Sequence, residues 1–351
     1  MITTKFKQSL TVSGKEISND APVFIIAEAG VNHGGNMDLA FQLIDIAASS
    51  GADAVKFQAF RTESLILSNV EKAAYQKNTT SAVESQFDML KKLELSRKQY
   101  ADLKDYCSKK GILFLITPFD EQSLSELEEL GVEAYKIAST DATNLPFLKK
   151  VAQTGKPIFL STGMCYINEV DAALEQMAEF NTNLVLLQCT ANYPIADTEA
   201  NLNVITTFKN RYNVLVGYSD HTVGIGAAPY AVPFGARVLE KHFTIDKSME
   251  GPDHLASLSP QELKDFVIQV RQIEKYFGGF EKLPTASELG TRKSLQKCLV
   301  ASKEIKEGEV FTEENMIGKR TGGVGISPLR YKELIGKPAK SNFKVNEIIH
   351  E

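Results

Sequence analysis

The chain lacks several things that would have set its class at once. No apolar run approaches the roughly 18 residues that a membrane helix needs, and the opening MITTKFKQSLTVSGKEISND holds no apolar core of the signal-peptide type. A soluble cytoplasmic protein is the expectation. Its four cysteines, Cys107, Cys165, Cys189 and Cys298, form no C-x-x-C pair. They read as reduced thiols used for packing rather than as a disulfide frame or a zinc site. Positive charge is not in excess: 39 Lys and Arg stand against 44 Asp and Glu, a net charge of −5. General nucleic-acid binding needs a basic face and is disfavoured, whereas a local cationic pocket for an anionic metabolite is not. No G-x-G-x-x-G follows the first strand-like run, which weakens a doubly wound dinucleotide fold.

What is present is a rhythm. Eight short apolar runs recur at 24–30, 54–60, 113–119, 134–139, 157–163, 184–190, 214–220 and 237–243. Helical patterns such as 36–50 and 121–130 lie between most of them. Strands alternating with helices imply a parallel sheet, and eight such units predict a (β/α)8 barrel, with an open doubly wound sheet as the alternative. The step from 54 to 113 is about twice the others; it holds an insertion over roughly 61–86, and an excess loop of that size is usually functional. The predicted division is a barrel over 1–280 with residues 1–20 as an extension, a polar linker over 281–293, and a small β-rich domain over 294–351. The β-like runs CLVAS, EVFT and AKSNF mark that last part.

Polar residues gather at the C-terminal ends of the predicted strands. They are Glu28 on the first, Lys56 and Gln58 on the second, Thr117 on the third, Lys136 and Ser139 on the fourth and Ser161 on the fifth. Ser219 and His221 end the seventh, and Glu240 and His242 the eighth. Residues two apart share a side of a strand, so Lys56 with Gln58, Ser219 with His221, and Glu240 with His242 are in phase to converge. Lys56, Lys136, Glu28 and Glu240 sit inside apolar runs, where an unpartnered charge is costly. A shared site is the expectation and a structural ion pair the alternative. The lysines and hydroxyls together would hold a phosphate or carboxylate. His221 and His242, on neighbouring strands, are candidates for one divalent metal; spacing alone leaves a metal-free base beside a buried histidine equally open. His33, in VNHGG, would line the rim or be exposed by its turn. The loop KRTGGVG over 319–325 reads by itself as a solvated basic turn.

Several of these segments are longer than chance motifs. IIAEAGVNHGG, ADAVKFQAF, TPFD, STGM, GYSDHT and EKHFTIDKSMEGPDH resemble the sialic acid synthases, in order and over nearly the whole chain, and 299–325 resembles their antifreeze-like (SAF) domain. The resemblance implies a (β/α)8 barrel followed by that domain. It implies a domain-swapped homodimer and condensation of phosphoenolpyruvate with N-acetylmannosamine, or a 2,4-diacetamido-6-deoxy relative, to a nonulosonic acid and phosphate. An N,N′-diacetyllegionaminate synthase is the alternative within the family. Carried over by motif, Lys56, Thr117, Lys136, Ser139, Ser161 and Ser219 hold phosphoenolpyruvate. His221 and His242 bind a divalent metal, Mn²⁺ first, with Mg²⁺ or Co²⁺ as other choices. Glu28 orients the aldehyde or handles a proton, and Gln58, Asn78, Tyr193, Asp253 and Arg320 contact the sugar, Arg320 from across the dimer.

The chain departs from the family pattern at several places, among them Ala191 where some members have an asparagine. KIASTD puts Thr140 and Asp141 where glycine and glutamate are usual, Gln188 replaces a histidine, and Thr321 replaces a proline. Two rival readings keep some of the residues: a metal-dependent keto-acid aldolase on the same barrel, and a glycan- or ice-binding protein.

Overall fold

Along the strand Phe24–Gly30, Phe24, Ile26 and Glu28 alternate with Ile25, Ala27 and Ala29, and the apolar members of the two sets go to different cores. The computed structural model describes residues 6–72 and 84–351. They form two compact units, 1–277 and 278–351.

In the first unit a hairpin, β1 (Ser9–Val12) and β2 (Lys15–Ser18), precedes eight parallel strands: β3 (Phe24–Gly30), β4 (Ala54–Ala59), β5 (Leu113–Pro118), β6 (Tyr135–Ile137), β7 (Ile158–Ser161), β8 (Leu184–Cys189), β9 (Leu215–Asp220) and β10 (Val238–His242). These eight close into a barrel in the order β10-β3-β4-β5-β6-β7-β8-β9. The eight predicted runs are therefore the eight barrel strands, each trimmed by at most a few residues. Helices Met37–Ser50, Arg97–Lys110, Glu121–Glu129, Leu145–Gln153, Ile167–Ala178, Asn203–Tyr212 and Pro260–Phe277 supply the outer layer. Their bounds follow local chemistry. Asn36 caps the first by accepting from the amides of Asp38 and Leu39, Gly51 ends it in a left-handed turn, and Ser96 with Gln99 makes a capping box for Arg97–Lys110.

The barrel interior is stratified. Its lower part is apolar, with Phe24, Ile26, Leu115, Phe159, Leu187 and Val238 buried together. Gly217 belongs to this layer by necessity, since a Cβ there would sit 2.3 Å from Leu187 Cδ2 and 2.5 Å from the Val238 carbonyl. One pleat further along, the inward positions become Glu28, Lys56, Thr117, Lys136, Ser161, Ser219 and Glu240. The same period of two thus builds a dry plug and a polar floor above it.

Residues 1–20, expected only as an extension, contain the hairpin. Leu10, Val12 and Ile17 pack against the apolar interior at the strands' N-terminal end. The turn Ser13-Gly14 has positive φ at both positions, 50° and 75°, the twist a two-residue hairpin loop requires. The insertion after β4 starts with a one-turn helix, Thr62–Leu65, and is followed by the helix Gln86–Leu93.

The second unit carries the helix Ala286–Leu295, over part of the segment read as a linker, and an antiparallel pair, β11 (Lys297–Ala301) and β12 (Met316–Arg320). EVFT and AKSNF do not form ladders; they contribute the single bridges Val310↔Pro338 and Ile305↔Phe343. Left-handed glycines at 308 and 336 turn the chain too often for longer pairing. Leu299, Ile305, Phe311, Met316, Phe343 and Ile349 make this unit's own core.

Candidate active site

A cavity of about 530 Å³ opens at the C-terminal ends of the barrel strands. Glu28, Lys56, Gln58, Thr117, Lys136, Ser139, Ser161, Tyr193, Ser219, His221, His242 and Asp253 all line it. Asn78 lies outside the described residues. Arg320 belongs to the second unit, where it is exposed at the end of β12.

Two buried ion pairs form the floor. Lys56 Nζ lies 2.8 Å from Glu28 Oε2 and donates to Thr117 Oγ1 at 3.2 Å. Lys136 Nζ lies 3.2 Å from Glu240 Oε1, which also accepts from Ser219 Oγ at 3.0 Å. Gln58 Nε2 donates to Glu28 Oε1 at 3.1 Å. Burial alone would raise the Glu240 carboxyl, but Lys136 and Lys56 hold it down at about 2. Burial pushes Glu28 up despite the pull of Lys56, and lowers the Lys136 ammonium despite Glu240. Burial also raises Asp253 to about 6, with the Glu28 charge adding to it. The floor is therefore charged yet balanced, with Lys–Glu pairs that an incoming anion can share.

His221 and His242 stand on one side with ring centroids 5.6 Å apart. The ring of Tyr193 lies 4.0 Å from His221 and 5.5 Å from His242, edge-on to the latter. His221 Nδ1 is 2.7 Å from the Thr190 carbonyl, so it carries the proton there and Nε2 keeps a free lone pair. Among the described residues, Ser161 Oγ, Glu240 Oε2 and His242 Nδ1 are buried with no hydrogen-bond partner. Asp253 Oδ2 is 3.9 Å from that His242 nitrogen. Gly30, at φ 54°, keeps the space between Glu28, Gln58 and Asp253 open, since a Cβ would meet all three within 3.6 Å. No group of three or more His, Cys, Asp or Glu is gathered as a metal-ligand set among the described residues. The donors that are present, two imidazoles with an unpartnered nitrogen and carboxylates at hand, fit a divalent cation that takes its remaining ligands from water and substrate.

Other residues differ from their sequence reading. His33 neither lines the rim nor meets solvent: it is fully buried, 6.2 Å from the Phe57 ring, and its Nδ1 accepts from the Gly35 amide. Cys189 is on the inward face of β8 and lines the cavity, its Sγ 3.8 Å from His221 Nδ1. Gln188, one position earlier, faces the other way and reaches the Ala200 carbonyl. Asp141 turns from the cavity and accepts from Asn144 Nδ2 at 3.0 Å, whereas Thr140 lines it. Glu240 stood out as a charge in an apolar run, yet the central place it takes, between Lys136 and Ser219, emerges only once the barrel closes. Phe60, Leu65, Met89 and Phe119 also line the cavity; as apolar residues they carried no signal separating them from core.

Comparison with known proteins agrees with this geometry. The NeuB family model matches residues 43–282 and the SAF domain model residues 296–351. N,N′-diacetyllegionaminic acid synthase of Campylobacter jejuni is 48% identical over 330 residues, spanning 93% of this chain and 98% of the relative. N-acetylneuraminate-9-phosphate synthase of Homo sapiens is 34% identical over 339 residues, spanning 96% and 94%. The crystal structure of the N-acetylneuraminic acid (sialic acid) synthetase from Leptospira borgpetersenii superposes with a TM-score of 0.74 at 38% identity, covering 83% of this chain and 98% of that one.

Proposed function

The chain belongs to the NeuB family, with a SAF domain over residues 296–351, and from that premise we propose how its cavity works and on what. It is a phosphoenolpyruvate-dependent transferase of the sialic and legionaminic acid synthase type, acting on small molecules. It joins phosphoenolpyruvate to an N-acylated amino sugar, giving a nonulosonic acid and phosphate. Among acceptors we place 2,4-diacetamido-2,4,6-trideoxymannose ahead of N-acetylmannosamine, because the relative at 48% identity is a diacetyllegionaminic acid synthase.

Lys56 and Lys136 take the anionic groups of phosphoenolpyruvate, and Thr117, Ser139, Ser161 and Ser219 give it hydrogen bonds. Ser161 has its hydroxyl unspent. His221 and His242 hold the divalent cation, for which we propose Mn²⁺; when bound it supplies Lewis-acid polarisation of the sugar carbonyl. Gln58, Tyr193 and Asp253 orient the sugar so that its aldehyde carbon meets C3 of phosphoenolpyruvate. The new C–C bond forms there, water adds at C2, and the C–O bond to phosphate breaks. Glu28, its carboxyl raised by burial, is placed to hold the proton that the aldehyde oxygen takes up. The preorganised ammonium groups stabilise charge on the departing phosphate without having to reorganise.

Arg320 and Asn78 are assigned to the sugar by motif, Arg320 serving a partner subunit's cavity in a homodimer. A cytoplasmic location fits four free thiols and the absence, among the described residues, of a helix long and apolar enough to cross a membrane.

The observation that carries this reading is the meeting of two buried Lys–Glu pairs with a histidine pair at one end of a closed barrel. The test is phosphate release from phosphoenolpyruvate with Mn²⁺ and each of the two sugars. Release that needs both a sugar and the metal is expected. No release with either sugar would count against both acceptors and turn attention to another sugar or to Thr140 and Asp141; turnover of a keto acid without phosphoenolpyruvate would move the protein to the aldolase reading.

A further inference from the structure

The two histidines are not held alike. His242 belongs to β10, where it pairs with Glu28 of β3, and its carbonyl accepts from the Leu258 amide at 2.8 Å. His221 stands just beyond the end of β9. Its carbonyl accepts from the Ile195 amide at 3.0 Å and its Nδ1 meets the Thr190 carbonyl, so both of these contacts come from the chain that follows β8. Toward β10 the paired register ends at Asp220 with Lys241, the residue before each histidine.

Asp220 and Lys241 alternate with the cavity-lining residues Ser219, His221, Glu240 and His242, and neither of them lines the cavity. They meet on the outer side of the strands, with side chains 0% and 1% exposed. Lys241 Nζ lies 2.8 Å from Asp220 Oδ2 and donates to the Thr222 carbonyl at 2.6 Å. One ammonium thus grips the chain on both sides of His221, from the residue next to His242. The grip is reinforced from the β9 side. Asp220 Oδ1 accepts from the Thr222 amide at 2.9 Å and from its hydroxyl at 2.7 Å, and Oδ2 accepts from the Ala228 amide at 3.0 Å. Thr222 Oγ1 in turn accepts from the Ala227 amide at 2.9 Å. The returning loop lies so close that a Cβ on Gly226 would fall 1.8 Å from Thr222 Oγ1.

A buried ion pair is a poor means of stability, since apolar side chains of similar volume often serve as well or better. What this one adds is direction. Metal–nitrogen bonds are short, about 2.1 Å, so two imidazoles share an ion only within a narrow range of separations. We propose that Asp220 and Lys241, acting through Thr222, are positioning residues that hold His221 and His242 at the separation a single divalent cation requires. The inference rests on these histidines being the metal ligands, as proposed above.

The test titrates Mn²⁺ into the metal-free full chain and reads free Mn²⁺ by electron paramagnetic resonance. Phosphoenolpyruvate binding and a melting curve are measured on the same samples. Lys241→Met keeps the aliphatic stem and removes the ammonium. Lys241→Met with Asp220→Asn removes both charges, so that no buried carboxylate is left unpaired. Both variants should bind Mn²⁺ about ten- to a hundred-fold more weakly, the range for losing a group that orients a metal ligand. Their Kd for phosphoenolpyruvate should stay within about twofold, and excess Mn²⁺ should restore phosphate release. Unchanged Mn²⁺ affinity in a folded variant overturns the proposal. Equal loss of Mn²⁺ and phosphoenolpyruvate binding, or unfolding of both variants, also overturns it by making the pair purely structural. His221→Ala in the same titration separates this inference from the metal assignment. If it binds Mn²⁺ as the unaltered chain does, the assignment falls and the inference with it; if it loses Mn²⁺ while the pair variants keep it, the inference alone falls.

Discussion

Lys136 and Glu240 are 104 positions apart in the chain and face each other at 3.2 Å, from strands β6 and β10 that stand opposite in the ring of eight. Both are about 4% exposed in their side chains. This single pair spans the barrel and ties the anion floor to the strand that carries His242. Lys136→Met leaves Glu240 buried with less compensation and should cost roughly 3 kcal/mol of stability. Lys136→Met with Glu240→Leu should recover much of that loss, because two apolar side chains replace the pair. Neither variant should release phosphate at more than about a hundredth of the normal rate. Urea unfolding and a phosphate assay on the same preparations separate the two effects.

Removal of the divalent cation is expected to silence the enzyme without unfolding it. After dialysis against EDTA, phosphate release should fall to background and return with added Mn²⁺. His221→Ala and His242→Ala should each lower kcat by roughly a hundredfold or more, the scale of a lost Lewis acid. Metal content of the purified variants, read by elemental analysis, should fall in parallel; unchanged content with lost activity would make the histidines acid–base groups instead.

The hairpin β1–β2 closes the end of the barrel remote from the cavity. Ile17 is fully buried there against the apolar interior. Ile17→Ala should destabilise the protein by about 2–4 kcal/mol through lost burial and a cavity. The KM for phosphoenolpyruvate should stay within about twofold, since no hairpin residue lines the site. A melting curve and a substrate titration check the two halves of this statement.

His33 links stability to pH. Burial lowers its pKa from 6.5 to about 4. The folded chain thus keeps it neutral while the unfolded chain takes up a proton below pH 6.5. Its contribution is complete above that value and is lost as pH falls toward 4. The shift corresponds to on the order of 3 kcal/mol. His33→Asn, which can still accept from the Gly35 amide, should show a flatter fall in urea midpoint between about pH 7 and about pH 4.5 than the unaltered protein.

Most of the barrel was legible because a strand buried on both faces writes itself as a short apolar run, and here the polar interruptions kept the phase. Glu28, Lys56, Lys136 and Glu240 mark the inward pleat by their positions in those runs alone. The hairpin was not legible in the same way: LTVSGKEIS is short and half polar, and its apolar positions gain burial only from a barrel built by residues far along the chain. His33 hid for a similar reason, since VNHGG looks like an exposed glycine turn, and nothing local shows that its ring is buried beside Phe57.

Sequence alone determined which residues would be the eight barrel strands, which side of those strands the polar floor groups would take, and which family the motifs belong to. These are properties of a period of two and of runs a few residues long, and they need no knowledge of what lies opposite. Only the tertiary structure decided partners: Lys56 with Glu28 on the next strand, Lys136 with Glu240 across the barrel, Cys189 beside His221, and Met89 and Phe119 facing the cavity rather than core. Those choices depend on closure of the ring, which brings together groups that no local pattern relates.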